Sequence, residues 1–152
     1  MAARLADDRI DRIYSSDLQR AMETARTIAQ PHGLEVVADP RLREFAFGAW
    51  EGLTWGEIVA ERPHLHEAGW KKPHLYAPEG GETYDAVWTR VRSFYRELAT
   101  QPLERVVVVT HAGVVHALLD VLEVPLDAGA TIAVASITRV KIEGERVRVL
   151  PA

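Results

Sequence analysis

No cysteine occurs in this chain of 152 residues. Disulfides, thiolate metal sites and thiol redox chemistry are therefore excluded. An excess of positive charge is also missing: 18 Lys and Arg stand against 22 Asp and Glu, a formal net charge of -4. That balance argues against a general nucleic-acid or membrane-surface role. No apolar run reaches the length of a membrane span, and the opening MAARLADDRIDR lacks a signal peptide's apolar core. The expected location is the cytoplasm. Repeats, low-complexity tracts and long linkers are absent too, so residues 1–152 are expected to form a single domain. What the chain does have is 47% hydrophobic and 26% charged residues, the composition of a soluble globular protein able to bury a core.

The patterning alternates strands with helices. RIDRIYSS reads as a short strand, followed by SDLQRAMETARTIAQ, in which Leu18, Ala21, Met22, Ala25, Ile28 and Ala29 recur at helical spacing. Ser16 with Gln19 three residues on predicts a capping box at its start. PHG ends that helix and LEVVA is a second strand. A short helix is expected around residues 54–61, within an irregular stretch from Asp39 to Gly81. TYDAVWTRVRSFYRELAT is the clearest helix, with Thr83 as N-cap and Asp85 favourably placed against the dipole. RVVVVT reads as a strand covered on both faces, a helix from about Gly113 to Leu122 follows, and two strands flank a turn at Glu143-Gly144. This order implies an α/β sandwich with a largely parallel sheet, whose ligands sit beyond the carboxyl ends of the strands.

Several ionisable residues lie at such ends. In VVVVTHAGVVHAL, His111 terminates the valine run and Ala112-Gly113 opens a helix. Free N–H groups and a positive dipole end make that junction a site for an anion such as phosphate. A turn histidine with no ligand is an equally good reading of the stretch alone. Arg20 lies in the first turn after IYSSDL, where a guanidinium fork suits phosphate, although on position alone a solvated helix face carrying Arg20, Thr24 and Thr27 is the better reading. In RLREFAFGAWEG, Glu44 is flanked by Phe45, Phe47 and Trp50. Apolar surroundings favour the protonated carboxyl that a general acid must be. Glu51 is the competing carboxylate, and a surface salt bridge is the plain alternative for either. PEGGET, residues 78–83, reads as a turn in which Glu82 satisfies nearby backbone donors.

IYSSDLQRAMETA, LREFAFGAWEG, PEGGET and VVVVTHAGVVHAL, in this order and at these separations, resemble the histidine phosphatase superfamily, which includes the phosphoglycerate mutases. The resemblance runs from about Ile10 to Val121. It implies a phosphoglycerate mutase-like three-layer α/β/α sandwich with a mostly parallel central sheet. Catalytic roles fall on Glu44, as proton donor, and on His111; phosphate binding falls on Arg20 and on the backbone N–H of Ala112. The implied reaction is hydrolysis of a phosphomonoester of a small phosphorylated metabolite. A histidine attacks phosphorus, Glu44 protonates the leaving oxygen, and water then hydrolyses the phosphohistidine. No metal or other cofactor is implied. His64 and His66 alone do not make a metal site. The short stretch between Gly52 and Thr83 favours a phosphatase over a mutase, with Trp55, Trp70, Lys71, Lys72 and Tyr76 as candidates for the substrate side. A phosphate-binding protein without catalysis is the alternative from another class, and a homodimer is compatible with all of these.

One motif of the family is missing. The Arg-His-Gly that ends its first strand, carrying the nucleophile, occurs nowhere in the 152 residues. The resemblance places that strand between the one ending at His111 and one around residues 131–136. Residues 1–9 read as the tail of a helix. The expectation is therefore an N-terminally incomplete domain without its first strand, inactive as it stands, with the missing segment encoded immediately upstream.

Overall fold

The computed structural model describes residues 2–63, 78–124, 132–144 and 146–150. Its main sheet has three short strands. β1 (Arg12–Ser15) is central, with β2 (Val36–Ala38) on one side and β3 (Val106–Val109) on the other, both parallel to it. Parallel neighbours require crossover connections. Helix α2 (Gln19–Ala29) lies between β1 and β2 in the chain, and α3 (Trp55–Glu61) and α4 (Tyr84–Leu98) lie between β2 and β3. A short α1 (Ala2–Leu5) precedes β1, and α5 (Ala112–Val121) follows β3. The chain closes on an antiparallel hairpin, β4 (Arg139–Glu143) with β5 (Arg146–Leu150), around the expected turn.

Successive strand residues point to opposite faces, which sorts the core into two halves. Ile13, Val36, Val107 and Val109 pack with Leu5, Ala25, Ile28 and Ala29, from α1 and α2. Tyr14, Val37, Val106 and Val108 pack with Val87, Val91, Phe94, Val114 and Ala117, from α4 and α5. The result is an α/β/α three-layer sandwich with a parallel sheet. Helix α4 commits its apolar stripe fully: Val87 and Val91 are 0% and Phe94 2% exposed. Each such side chain contributes about 1.5–3 kcal/mol on burial. Thr83 caps α4 by accepting from the Ala86 N–H, as its sequence position predicts. Thr54 and Glu57 form a reciprocal capping box on α3.

Three expectations need correction. The capping box of Ser16 with Gln19 does not form; α2 starts at Gln19 after an extended Leu18 that makes no side-chain cap, and the Gln19 amide donates to Glu23 instead. Ser16 Oγ lies against the His111 ring instead. The valines of β3 are half-buried rather than buried. Both of their faces are covered, but β1 is the only strand paired with β3 among the described residues. The strand expected around residues 131–136 is absent from its described part, 132–136. The backbone turns there at Val134 and Ala135, with Ala135 at φ 59° and Val134 fully exposed.

Candidate active site

The carboxyl ends of β1 and β3 bring Ser16 and His111 side by side. The Ser16 N–H donates to Val109 O at 2.9 Å, extending the β1–β3 pairing one residue past Ser15. His111 is the extended N-cap of α5, its carbonyl accepting from Val115 N–H at 2.9 Å. Its ring spans two neighbours: Nε2 lies 2.9 Å from Ser16 Oγ, and Nδ1 lies 3.2 Å from Arg20 Nη2. Arg20 reaches it from the first turn of α2 and is exposed. Ala112, also exposed, is the first residue of α5, and its N–H belongs to the four that head a helix without an internal partner. Burial first, then the charges of Arg20 and Arg90, push the His111 imidazolium down to a pKa of about 4. The ring is therefore neutral at physiological pH.

Glu44 enters from the loop after β2. One carboxylate oxygen accepts from Phe45 N–H at 3.0 Å, the other from Gly113 N–H at 3.3 Å, in the first turn of α5. The Gly113 N–H, at the head of α5, is thus met by the protein's own Glu44. A Cβ at position 113 would lie 2.6 Å from Glu44 Oε1 and 2.6 Å from the Phe45 ring. Thr110 Oγ1 donates to Leu42 O at 2.8 Å, tying the end of β3 to the same loop. Glu51, the competing carboxylate, is exposed beyond the short turn Gly48–Trp50.

The PEGGET stretch supports this loop. Glu82 Oε2 accepts from Ala46 N–H at 3.1 Å, while both Glu82 oxygens pair with Arg90 at 2.9 Å. Arg90 also donates to the carbonyls of Arg41 and Glu44. Gly48, at φ 49°, sits so close to this turn that a Cβ would come within 2.3 Å of Glu79 O. Glu82 thus satisfies a backbone donor, as its position in the sequence suggests. The pairing holds its carboxyl below the usual range despite burial, with Arg90 and the Ala46 N–H as causes.

Arg20, His111, Ala112 and Glu44 therefore converge on the N-terminal end of α5. Sequence reasoning missed Ser16 and Arg90. Ser16 was assigned to a helix cap, so its hydroxyl looked spent. Arg90 sits on an amphipathic helix where an arginine signals nothing in particular. Of the candidates for the substrate side, Trp70, Lys71, Lys72 and Tyr76 fall outside the described residues, as do His64, His66 and His74; Trp55 opens α3, its side chain likewise undescribed. Among the described residues no cluster of three or more His, Asp or Glu is placed to hold a metal, and no helix is long and apolar enough to cross a membrane.

A guanidinium, a neutral imidazole, a helix N-terminus and a hydrogen-bonded carboxylate at the ends of parallel strands form a set suited to phosphoryl chemistry. The sequence model of the histidine phosphatase superfamily (branch 1) matches residues 1–151, and the chain belongs to that family. Glucosyl-3-phosphoglycerate phosphatase of Mycobacterium tuberculosis is 40% identical over 115 residues, covering 70% of this chain and 51% of that protein. Phosphoserine phosphatase 1 of Hydrogenobacter thermophilus is 34% identical over 112 residues, covering 73% of this chain and 53% of that one. The native structure of mycobacterial glucosyl-3-phosphoglycerate phosphatase matches with a TM-score of 0.82 at 33% identity, over 97% of this chain and 79% of its own. The two curated relatives are matched over about half their length.

Proposed function

We propose that the protein is a phosphomonoester hydrolase acting on a small phosphorylated metabolite through a phosphohistidine intermediate. The observation that carries this reading is the convergence of Arg20, His111 and Glu44 at the head of α5. In it, Arg20 and the Ala112 N–H bind the phosphoryl oxygens, and His111 stabilises their charge. Glu44 gives a proton to the leaving oxygen and then takes one from the attacking water. The relatives' names, with glucosyl-3-phosphoglycerate and phosphoserine among their substrates, support a phosphorylated sugar acid or amino acid as the substrate class.

The nucleophile of this scheme is a histidine of an Arg-His-Gly motif, which the 152 residues do not contain. The reading therefore requires that histidine from outside them, carried on a strand beside β3. Its experiment uses a form bearing such a segment. Glu44→Gln is expected to lose far more turnover on alkyl phosphates than on phenolic ones, because a phenolate leaves without a proton. Equal losses on both would remove Glu44 from the acid role. The absence of Arg-His-Gly favours a second reading, a phosphate-binding protein without catalysis. Phosphate binding with no turnover and no acid-labile phosphoenzyme, even in the extended form, would select it.

A further inference from the structure

Of the four arginines on α2, on α4 and ahead of Glu44 in its loop, three are paired with carboxylates. Arg41 holds Asp39 at 2.6 Å and Glu97 at 2.9 Å. Arg90 holds Glu82 at 2.9 Å. Arg43 holds Asp17 through two bonds, Nε to Oδ1 at 2.7 Å and Nη2 to Oδ2 at 2.6 Å. Arg20 is the exception. Among the described residues no carboxylate lies within ion-pair distance of it, and its ring neighbour His111 is neutral. Carboxylates close by in the chain are turned elsewhere. Glu23, one turn along α2, accepts from the Gln19 amide at 2.8 Å, and Glu44 faces the N–H groups of Phe45 and Gly113. Asp17 stands three residues before Arg20, in the turn from β1 into α2. A carboxylate there suits the positive head of α2, yet α2 starts without a side-chain cap and both Asp17 oxygens go to Arg43. The Arg43 bond holds the Asp17 carboxyl below its ordinary range. Arg43 is 55% and Asp17 27% exposed. An ion pair at such a surface adds little to stability, but a guanidinium fork fixes the direction of the carboxylate it grips.

We propose that Arg43 is a positioning residue for phosphate binding: by holding the Asp17 carboxylate against the Glu44 loop, it keeps Arg20 unpaired and open to a phosphoryl group. The role rests on the reading of Arg20 as the phosphate-binding arginine. Without Arg43, Asp17 is a free carboxylate three residues from an unpaired guanidinium, and an incoming phosphate has to displace it. Asp17 itself contributes nothing to the anion. Its removal is therefore harmless, whereas its release is not. The same pair joins the turn that leads into Arg20 to the residue before Glu44, so one contact serves both sides of the cluster.

The test uses inorganic phosphate and the 152-residue protein. Its dissociation constant is measured by NMR titration in 0.15 M salt, where exposed charges more than about 8 Å apart are largely screened. Arg43→Gln is expected to raise that constant about two- to fivefold, the weight of one exposed ion pair. Asp17→Asn should bind phosphate no more weakly than the wild type, and the double variant Asp17→Asn/Arg43→Gln should regain wild-type binding. Arg148→Gln, which removes the same charge from an equally exposed pair on the hairpin, should change nothing. A crystal structure of Arg43→Gln should show an Asp17 oxygen within hydrogen-bond distance of the Arg20 guanidinium. Asp17 turned away from Arg20 in that structure overturns the proposal. So does a double variant as weak as Arg43→Gln, which would make the pair a mere brace for the loop. Wild-type binding that Arg43→Gln leaves unchanged removes this proposal alone. No phosphate binding by the wild type removes Arg20 from the phosphate role, and this proposal with it; failure of hydrolysis shows only in turnover.

Discussion

Gly113 shows how a single missing Cβ positions a charged group. The carboxylate of Glu44 and the ring of Phe45 both occupy space that an alanine methyl would need, at 2.6 Å. Gly113→Ala is therefore expected to displace Glu44 from the head of α5 and to destabilise the fold by about 1–3 kcal/mol, the usual cost of overpacking. A denaturant melt would read that loss, and wild-type stability in the variant would mean that the loop yields freely. His111 gives a second expectation at this scale. Its folded-state pKa of about 4 lies below the ordinary histidine value because burial, and then Arg20 and Arg90, disfavour the imidazolium. Between about pH 6.5, the unperturbed value, and pH 4, the unfolded chain binds a proton that the folded chain refuses. Stability from this group is complete above that window and falls as pH drops through it. Inorganic phosphate, by engaging Arg20 and bringing negative charge, should move the His111 titration upward. An NMR titration with and without phosphate checks both statements, and a free-protein midpoint near 6.5 would contradict the first.

At the scale of elements, the loop that presents Glu44 is held by α4 through one residue. Arg90 pairs with Glu82 and reaches the carbonyls of Arg41 and Glu44. Arg90→Met keeps the apolar stem but strands the Glu82 carboxylate and two carbonyls. A loss of about 2–3 kcal/mol is expected, since hydrogen bonds to charged groups contribute about that much. If thermal melts of Arg90→Met match the wild type, the strap carries no load. This strap was invisible in the sequence because its partners are 8, 46 and 49 residues away. Elements whose signals are local were legible: α4 from its apolar stripe and Thr83 cap, α3 as a short helix around residues 54–61, and the hairpin from Glu143-Gly144. The Ser16 cap failed because a hydroxyl that can cap a helix can equally pair with His111, 95 residues away, and only tertiary packing decides between them. The stretch around Val134 failed because strand propensity means little where, among the described residues, no neighbouring strand pairs with it. Arg20, Glu44 and His111 were singled out through the order of their motifs along the chain, not through any one of them.

The whole molecule has its cluster at the carboxyl end of a sheet whose β3, an all-valine strand, pairs on one side only among the described residues. A valine run with both faces covered is the composition of an interior strand of a parallel sheet, and an unpaired edge of this kind is a template for another strand. That edge lies beside His111, where the proposed nucleophile has to be delivered. Two properties should therefore change together when an apolar strand ending in Arg-His-Gly is joined ahead of residue 1. Pairing along β3 should raise the thermal midpoint, because backbone groups on its open edge gain partners. Turnover of p-nitrophenyl phosphate, expected to be negligible in the 152-residue protein, should appear in the extended form and be lost again when the added histidine is replaced by alanine. In the extended form, Arg20→Ala and His111→Ala should each cost about 2.7–4 kcal/mol of transition-state stabilisation, the usual loss for one preorganised donor. Robust, chelator-insensitive turnover by the 152 residues alone would defeat this account and require a nucleophile among them. A raised thermal midpoint without turnover would keep the strand and discard the chemistry. Turnover without a raised midpoint would place the histidine somewhere other than along β3.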